Sequence, residues 1–268
     1  MKKKRLPLVS VIMNSHNGSV FLSRSIESVL RQKYKKWELI FWDNCSKDDT
    51  KKKIKAIKDK RIKYFYSSTF HSLYHSRNLA IAKAKGEYIC FLDVDDEWKL
   101  NKLIKQIEKI NYRKFDIIFS NYSVKDRLKK KFIKKVRKKN IDNKNITQEL
   151  LNNYFLGILT VMVKKEIFIK YKFDKKYNII GDFDFFIKLS IDKKFYFIQE
   201  SLAIYNIHES NYSTKNLPQY IKELTIWIKK NEKPFLRKQF NFDNLKFFLM
   251  KLRIKNIINN FKLLFWGM

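Results

Sequence analysis

The 268-residue sequence predicts an α/β fold on a doubly wound, mostly parallel sheet, and two observations carry that expectation. Short apolar runs alternate with lysine-rich stretches whose apolar positions recur at helical spacing through the first half of the chain. One of the runs, Tyr88-Ile89-Cys90-Phe91-Leu92, is apolar throughout, as a strand covered on both faces must be. It passes without a break into Asp93-Val94-Asp95-Asp96-Glu97.

In chain order, residues 8–13 read as the first strand and residues 14–18 as its exit loop. A helix follows with Leu22, Ile26, Val29 and Leu30 on one face, then a strand over residues 37–42. Residues 43–50 form the next loop, where Ser46 or Asp48 is placed to cap the lysine-rich helix beyond. Residues 62–66 are a third strand, and Arg77 to Ala82 lie on a helix that Gly86 is expected to end in the C′ role. The acid-ended strand comes next, and Asp96 or Glu97 is positioned to cap a helix carrying Leu100, Leu103, Ile104 and Ile107. Right-handed crossovers then give the doubly wound sheet.

The second half is sparser. Residues 115–120 read as a strand, and residues 125–144, dense in Lys and Arg, as a solvated loop, with phosphate head-group contact as the lesser reading. Residues 160–163 and a helix through Ile167 lead to residues 181–189. There Phe185, Phe186 and Leu189 face a core, and Asp182 and Asp184 sit where the helix dipole favours carboxylates. From about Leu217 onward the chain reads as an appendage, whose last helix interleaves Phe247, Phe248, Ile254, Ile257 and Phe261 with Lys246, Lys251, Arg253 and Lys255. That composition suits an anionic membrane interface, and packing on the chain's own α/β domain or a second subunit is the rival reading.

Composition sets outer limits. With 45% hydrophobic residues the chain can bury a sizeable core, and 59 Lys plus Arg against 26 Asp plus Glu give a formal net charge of +33. Such a charge raises nucleic acid as a partner, but no helix-turn-helix, zinc or RNP pattern accompanies it and the lysines are spread along the whole chain. Cys45 and Cys90, the only cysteines, lie in or beside apolar strands, which fits a reduced compartment. The basic start before residues 6–13 imitates a leader but lacks a small-residue cleavage site, and no apolar run reaches membrane-spanning length.

The chemistry concentrates at Asp93 and Asp95, which share one side of an extended backbone at a strand's carboxyl end, where open α/β sheets bind ligands. Crowded carboxylates repel one another unless a cation sits among them, so a hard-cation site for Mg²⁺ or Mn²⁺ follows, with open positions for substrate phosphates. A phosphatase of the haloacid-dehalogenase type also places Asp-x-Asp after a strand. That motif tends to open its fold, however, and here three predicted strands come first. Asp43, closing the second strand, is placed to hydrogen-bond a nucleobase or ribose, or simply to make a turn. No Gly-rich phosphate loop is present, so phosphate charge falls to the metal and to side chains such as Arg77.

Val9-Ser10-Val11-Ile12-Met13 with Asn17-Gly18, Ser28-Val29-Leu30 with Gln32, Trp37-Glu38-Leu39-Ile40, Asp43-Asn44-x-Ser46-x-Asp48-x-Thr50, Arg77-Asn78-x-Ala80, Ala84-Lys85-Gly86-Glu87-Tyr88-Ile89 and Leu92-Asp93-x-Asp95-Asp96 together resemble the inverting glycosyltransferases of family 2, which adopt the GT-A fold. The resemblance is dense over about the first hundred residues. It departs in the first loop, where the family's usual Pro and Tyr are Asn14 and His16. It implies a nucleoside-diphosphate sugar donor, UDP-linked in the first instance, with Ser15, Asn17, Asp43, Arg77 and Asp93 on the donor side. The divalent ion would be held by Asp93 and Asp95. The family's Glu-Asp pair, whose Asp is the general base, aligns with Gly181-Asp182, so Asp182 is favoured over Asp184. The late His-x-x-x-x-Ser element resembles His208 to Ser213 and adds His208 as a metal or diphosphate ligand. The implied halves are residues 1–115 for the donor and 116–216 for the acceptor, with residues 217–268 as the tail. The implied reaction is inverting transfer to a glycan or lipid-linked hydroxyl in bacterial cell-surface polysaccharide synthesis, on the cytoplasmic face of the membrane. A metal-dependent phosphatase and a nucleic-acid-binding protein stand as alternatives.

Overall fold

The computed structural model describes residues 6–112, 115–127, 129, 131–136, 141, 145–208 and 215–266. Strands β1 (Val9–Ser15), β2 (Trp37–Asn44), β3 (Ile62–Ser67) and β4 (Tyr88–Phe91) form a parallel block ordered β3-β2-β1-β4. Helices α1 (Leu22–Leu30), α2 (Thr50–Ala56) and α3 (Leu73–Lys83) make the connections. Strand order therefore reverses at β1, and a crevice opens beyond the carboxyl ends of β1 and β4.

Alternation along β1 splits the core into two layers. Val9, Val11 and Met13 face α1 and helix α4 (Lys102–Tyr112), while Ile12 faces α3. The rest of the sheet is mixed. β8 (Met162–Lys164) runs antiparallel to β4 and to β6 (Ile117–Asp126), and β9 (Phe195–Ile207) runs parallel to β6. The two-residue β5 (Glu97–Trp98) closes the far edge against β9.

Several local expectations are corrected. Gly86 does not cap α3, since that helix ends into extended Ala84 and no described glycine has a positive φ. What Gly86 supplies is room: a Cβ there would stand 2.6 Å from both the amide nitrogen and Oγ of Ser10. Its amide donates to Ser10 Oγ at 2.8 Å, and Ser10 donates to Glu38 Oε1 at 2.7 Å. Burial alone would raise the Glu38 pKa, but hydrogen bonds from Lys63, Ser10 and the Lys85 amide hold the carboxyl below its usual range. Leu100 is exposed ahead of α4, and neither Asp96 nor Glu97 caps that helix, because both are used against β9 and its neighbours. The basic stretch expected as a loop instead continues β6 to Asp126 and returns as β7 (Lys131–Val136). Residues 128, 130, 137–140 and 142–144 of that stretch, and residues 209–213 of the late element, lie outside the described residues.

The C-terminal part divides in two. Helix α8 (Leu217–Leu236) is built into the domain, with Leu224, Trp227, Ile228 and Phe235 buried in the same cluster as α5 (Ile146–Asn152), α6 (Ile167–Lys170) and α7 (Gly181–Ser190). Helix α9 (Asp243–Trp266) packs on α8 and α5 through Leu245 and Leu249. Phe247, Met250, Ile254, Ile257 and Ile258, spaced to fall on one outward stripe, are exposed. The helix is thus apolar on two opposite sides and is not a one-faced amphipath. Among the described residues no helix is long and apolar enough to cross a membrane.

Gly86→Ala should drive β1 and the α3–β4 turn apart, at a cost of about 1–3 kcal/mol, the usual range for an overpacked core. Thermal denaturation should show a melting point lower by several degrees, and an unchanged one would remove the close-approach explanation.

Candidate active site

The carboxyl end of β4, the start of α3 and the head of α7 enclose a cleft of about 190 Å³. It is lined by Tyr74, Arg77, Asp93, Asp95, Asp96, Ile179, Asp182 and Tyr205 among others. Cavities of about 350 Å³ beside His75 and about 240 Å³ beside Arg24 are larger, but neither gathers these acids, so chemistry and not volume locates the site.

Arg77, 2% exposed on α3, donates through Nη2 to both oxygens of Asp93 at 2.7 and 2.9 Å. Asp95 Oδ2 lies 2.9 Å from His208 Nε2, and the His208 ring stacks on Phe21 with centroids 4.3 Å apart. Asp96 is buried and accepts the Asn206 amide at 2.9 Å, while Asn206 Nδ2 donates to the Asp95 carbonyl and to Glu97 Oε1. Glu97 is also paired with Arg127. Burial and the neighbouring Asp93 charge push the Asp95 pKa up, against the pull of His208. Burial, Asp95 and Asp93 push Asp96 well above the ordinary range. The cluster is therefore electrostatically short of positive charge, although Arg77 already serves Asp93.

On the far wall the two carboxylates of α7 separate in role. Asp184 is buried and fixed, accepting Trp227 Nε1 at 2.8 Å and Lys188 Nζ at 2.6 Å. Asp182 faces the cleft. Burial raises its pKa, while the Arg77 charge and a hydrogen bond from Tyr74, 3.0 Å away, draw it partly back.

Tyr74, which lines the cleft, and Glu223, which braces it from behind, are candidate-site residues that sequence reasoning missed. The Tyr74 ring occupies the space beside Gly181, where a Cβ would come 2.5 Å from Tyr74 Cγ, so Gly181 is what lets this phenol reach Asp182. A signal existed, since a glycine where the family has Glu leaves a volume that another side chain must fill. Glu223, on α8, accepts the amides of Asn178, Ile179 and Ile180 at 2.8, 3.0 and 3.1 Å, holding the turn that leads into α7. Nothing local in the sequence pairs a tail glutamate with that turn.

Ser15, Asn17 and Asp43 stand at the neighbouring strand ends and do not line the cleft described above. Asp43 is buried, accepting the Ser46 amide at 2.9 Å and the Tyr64 hydroxyl at 2.7 Å. Asn17 adopts φ 52°, accepts the Lys47 amide at 2.8 Å and gives its own amide to Ser46 Oγ at 2.9 Å. Ser15 Oγ is buried without a hydrogen-bond partner beneath Gly18, whose added Cβ would meet both Ser15 Oγ and Val94. Asp48 bridges the same loops: burial would raise its pKa, but hydrogen bonds from Thr50 and Ser19 bring it down to about 2. Gly18 against Val94 and Phe21 against His208 join this region to the acids.

Among the described residues no three His, Cys, Asp or Glu side chains already converge as a metal centre. Of the expected ligands, Asp93 is turned onto Arg77, while Asp95 and His208 face each other. A carboxylate short of positive charge beside an imidazole nitrogen fits a divalent ion whose remaining positions are filled by phosphate oxygens and water. The clasp on Asp93 also argues against its use as a phosphatase nucleophile.

The profile of the family described as Glycosyl transferase family 2 matches residues 10–177. The Escherichia coli UDP-Glc:alpha-D-GlcNAc-diphosphoundecaprenol beta-1,3-glucosyltransferase WfgD is 33% identical over 188 residues, 69% of this chain and 70% of that protein. The putative teichuronic acid biosynthesis glycosyltransferase TuaG of Bacillus subtilis is 35% identical over 165 residues, 60% of this chain and 63% of TuaG. In fold, the chain is similar to S. aureus TarS 1-349 in complex with UDP-GlcNAc. The TM-score is 0.69 at 16% identity, covering 81% of this chain and 64% of that one.

Glu223→Ala should leave three amides without their acceptor, those of Asn178 and Ile179 partly buried and that of Ile180 buried, an effect of roughly 1–3 kcal/mol at most for the buried one. Hydrogen exchange should then quicken at residues 178–180 while β1 and β4 stay protected. Unchanged protection of that turn would show that Glu223 does not hold it.

Proposed function

We propose that this chain, which belongs to glycosyl transferase family 2, moves a sugar from a nucleoside diphosphate, UDP in the first instance, to a hydroxyl of a lipid-linked glycan with inversion at the anomeric carbon. The observation that carries the reading is that one cleft sets Asp182, a carboxylate of raised pKa, across from Arg77, Asp93 and Asp95. The role in cell-surface polysaccharide synthesis is supported by relatives such as WfgD and TuaG.

Asp182 takes the proton of the acceptor hydroxyl as that oxygen attacks the anomeric carbon from the face opposite the leaving diphosphate. A raised pKa makes it a stronger base than a surface aspartate, and Tyr74 aims it by holding one carboxylate oxygen. On the donor side the nucleobase would lie by Asp43, whose buried carboxylate is fixed by Ser46 and Tyr64, with Ser15 and Asn17 at the neighbouring strand end. Arg77 keeps Asp93 in place and its charge near the donor phosphates. Asp95 with His208 would hold Mg²⁺ or Mn²⁺, which when bound neutralises charge growing on the departing diphosphate. Membrane contact is assigned to the outward stripe of α9, flanked by Lys251, Lys255 and Arg253, each cation contributing about 1 kcal/mol near an anionic leaflet.

Asp182→Asn should lower kcat about 10²–10⁴-fold in a protein that stays folded, the usual worth of a placed general base. Near-normal turnover would refute the assignment. Because the base must be ionised, kcat/KM should fall as pH drops through a value above the ordinary aspartate range. Tyr74→Phe, which removes a hydrogen bond to the ionised form, should move that acid limb to higher pH; a limb that stays put would detach Tyr74 from the base. In vesicle flotation with anionic lipid, Ile254→Ser combined with Ile257→Ser should release the protein from the membrane fraction. Equal flotation of variant and parent would exclude the α9 stripe as the contact.

A further inference from the structure

Behind Asp182 lies a groove of about 150 Å³ between the end of α5, the first turn of α7, and helices α8 and α9. Tyr154, Phe183, Tyr220, Leu224 and Phe248 are among the residues that line it. Tyr154 packs edge-on against Phe183 with centroids 5.1 Å apart, and Tyr220 packs edge-on against Phe248 at 6.2 Å. The Tyr154 hydroxyl is buried and has no hydrogen-bond partner. An orphaned buried hydroxyl is uncommon and asks for a ligand atom to complete it. Phe183, next to Asp182 in the chain, lines the groove, and the Asp182 charge is felt there. The Asp182 charge, after burial, helps to push the Tyr154 hydroxyl well above its ordinary pKa and the Tyr220 hydroxyl up to about 12.

We infer that this groove is the acceptor-saccharide subsite, in which a pyranose ring lies against Tyr220 and Phe248 and one of its hydroxyls pairs with Tyr154. This rests on Asp182 being the base, and it adds the surface that presents the acceptor to it. Two chemistries compete for an aromatic groove of this kind. An isoprenoid chain would cover the rings but leave the Tyr154 hydroxyl unpaired at a buried position, which is unfavourable. A sugar offers an apolar C–H face to the electron-rich rings and a hydroxyl edge to the phenol, so it satisfies both. The groove opens beside Phe248, which is 41% exposed on α9, so the saccharide would enter from the side of the molecule where the basic apolar stripe lies.

The test is saturation-transfer NMR on the full chain with UDP and Mn²⁺, using the methyl glycosides of glucose, galactose, mannose, N-acetylglucosamine and N-acetylgalactosamine as probes. At least one should give signal, weakened about tenfold in Tyr154→Phe, the expected effect of losing one hydrogen bond to a buried group. UDP binding should be unchanged in that variant. Tyr220→Leu, at the other wall, should weaken the same probe and serves if Tyr154→Phe proves unstable. Absence of signal from every glycoside, equal signal in both variants, or displacement of the bound glycoside by farnesol would overturn the assignment. Asp182→Asn should retain the glycoside signal, so a failure of the base assignment, read from turnover, is distinct from a failure of the subsite.

Discussion

The structure depends on keeping Asp93, Asp95 and Asp96 together at the end of β4 without letting their mutual repulsion open the sheet. Each is met by a different device: Arg77 clasps Asp93, His208 faces Asp95, and the Asn206 amide caps Asp96. These partners come from α3, the end of β9 and the segment just after it, so the acids tie the two halves of the mixed sheet together. Breaking a buried charge pair by removing one member leaves the other uncompensated, so each of these partners is costly to lose. Even so, the raised pKa of Asp95 and Asp96 records a deficit of positive charge. A bound divalent ion would remove that deficit, so electrostatics supports the proposed ligand site independently of analogy.

The C-terminal helices belong to the same account. Glu223 and Trp227 of α8 reach the turn and first turn that carry Asp182 and Asp184, so the supposed tail helps to fix the proposed base. Helix α9 rests on α8, with Lys246 paired to Glu232 and Arg253 near Thr225. A continuous path of packed helices therefore runs from the outward apolar stripe to the cleft wall that carries Asp182. Wherever α9 docks, the orientation of the cleft is set with it.

Much of the donor half was legible because its signals are local. The strands β1 to β4 announce themselves by apolar runs, and Asp93 and Asp95 by their place after one of them. What stayed hidden depends on contacts distant in sequence. Gly86 looked like a helix cap, but its task is set by Ser10, 76 residues away. Asp96 and Glu97 looked like caps because nothing in their neighbourhood reveals that β9 will lie beside them. The lysine-rich stretch after residue 125 looked like a loop because charge masked the alternation of a hairpin. Asp182 could be told from Asp184 only through a family pattern. The structure separates them by physical means, tying Asp184 to Trp227 and Lys188 and turning Asp182 to the cleft. Tyr74 was signalled only indirectly, by the glycine at 181, while Tyr154, in the loop after α5, and Glu223, on α8, carry no local pattern, since a lone Tyr or Glu usually serves packing or solubility.

The central claim is that the acids at the end of β4 bind a nucleoside diphosphate through a divalent ion. Titration calorimetry of UDP into the protein, with Mn²⁺ and then with excess EDTA, tests it most directly. Binding should be strong only with the metal, should lose that dependence in Asp95→Asn, and should be retained in Asp182→Asn. Equal UDP affinity with and without Mn²⁺ would contradict the account.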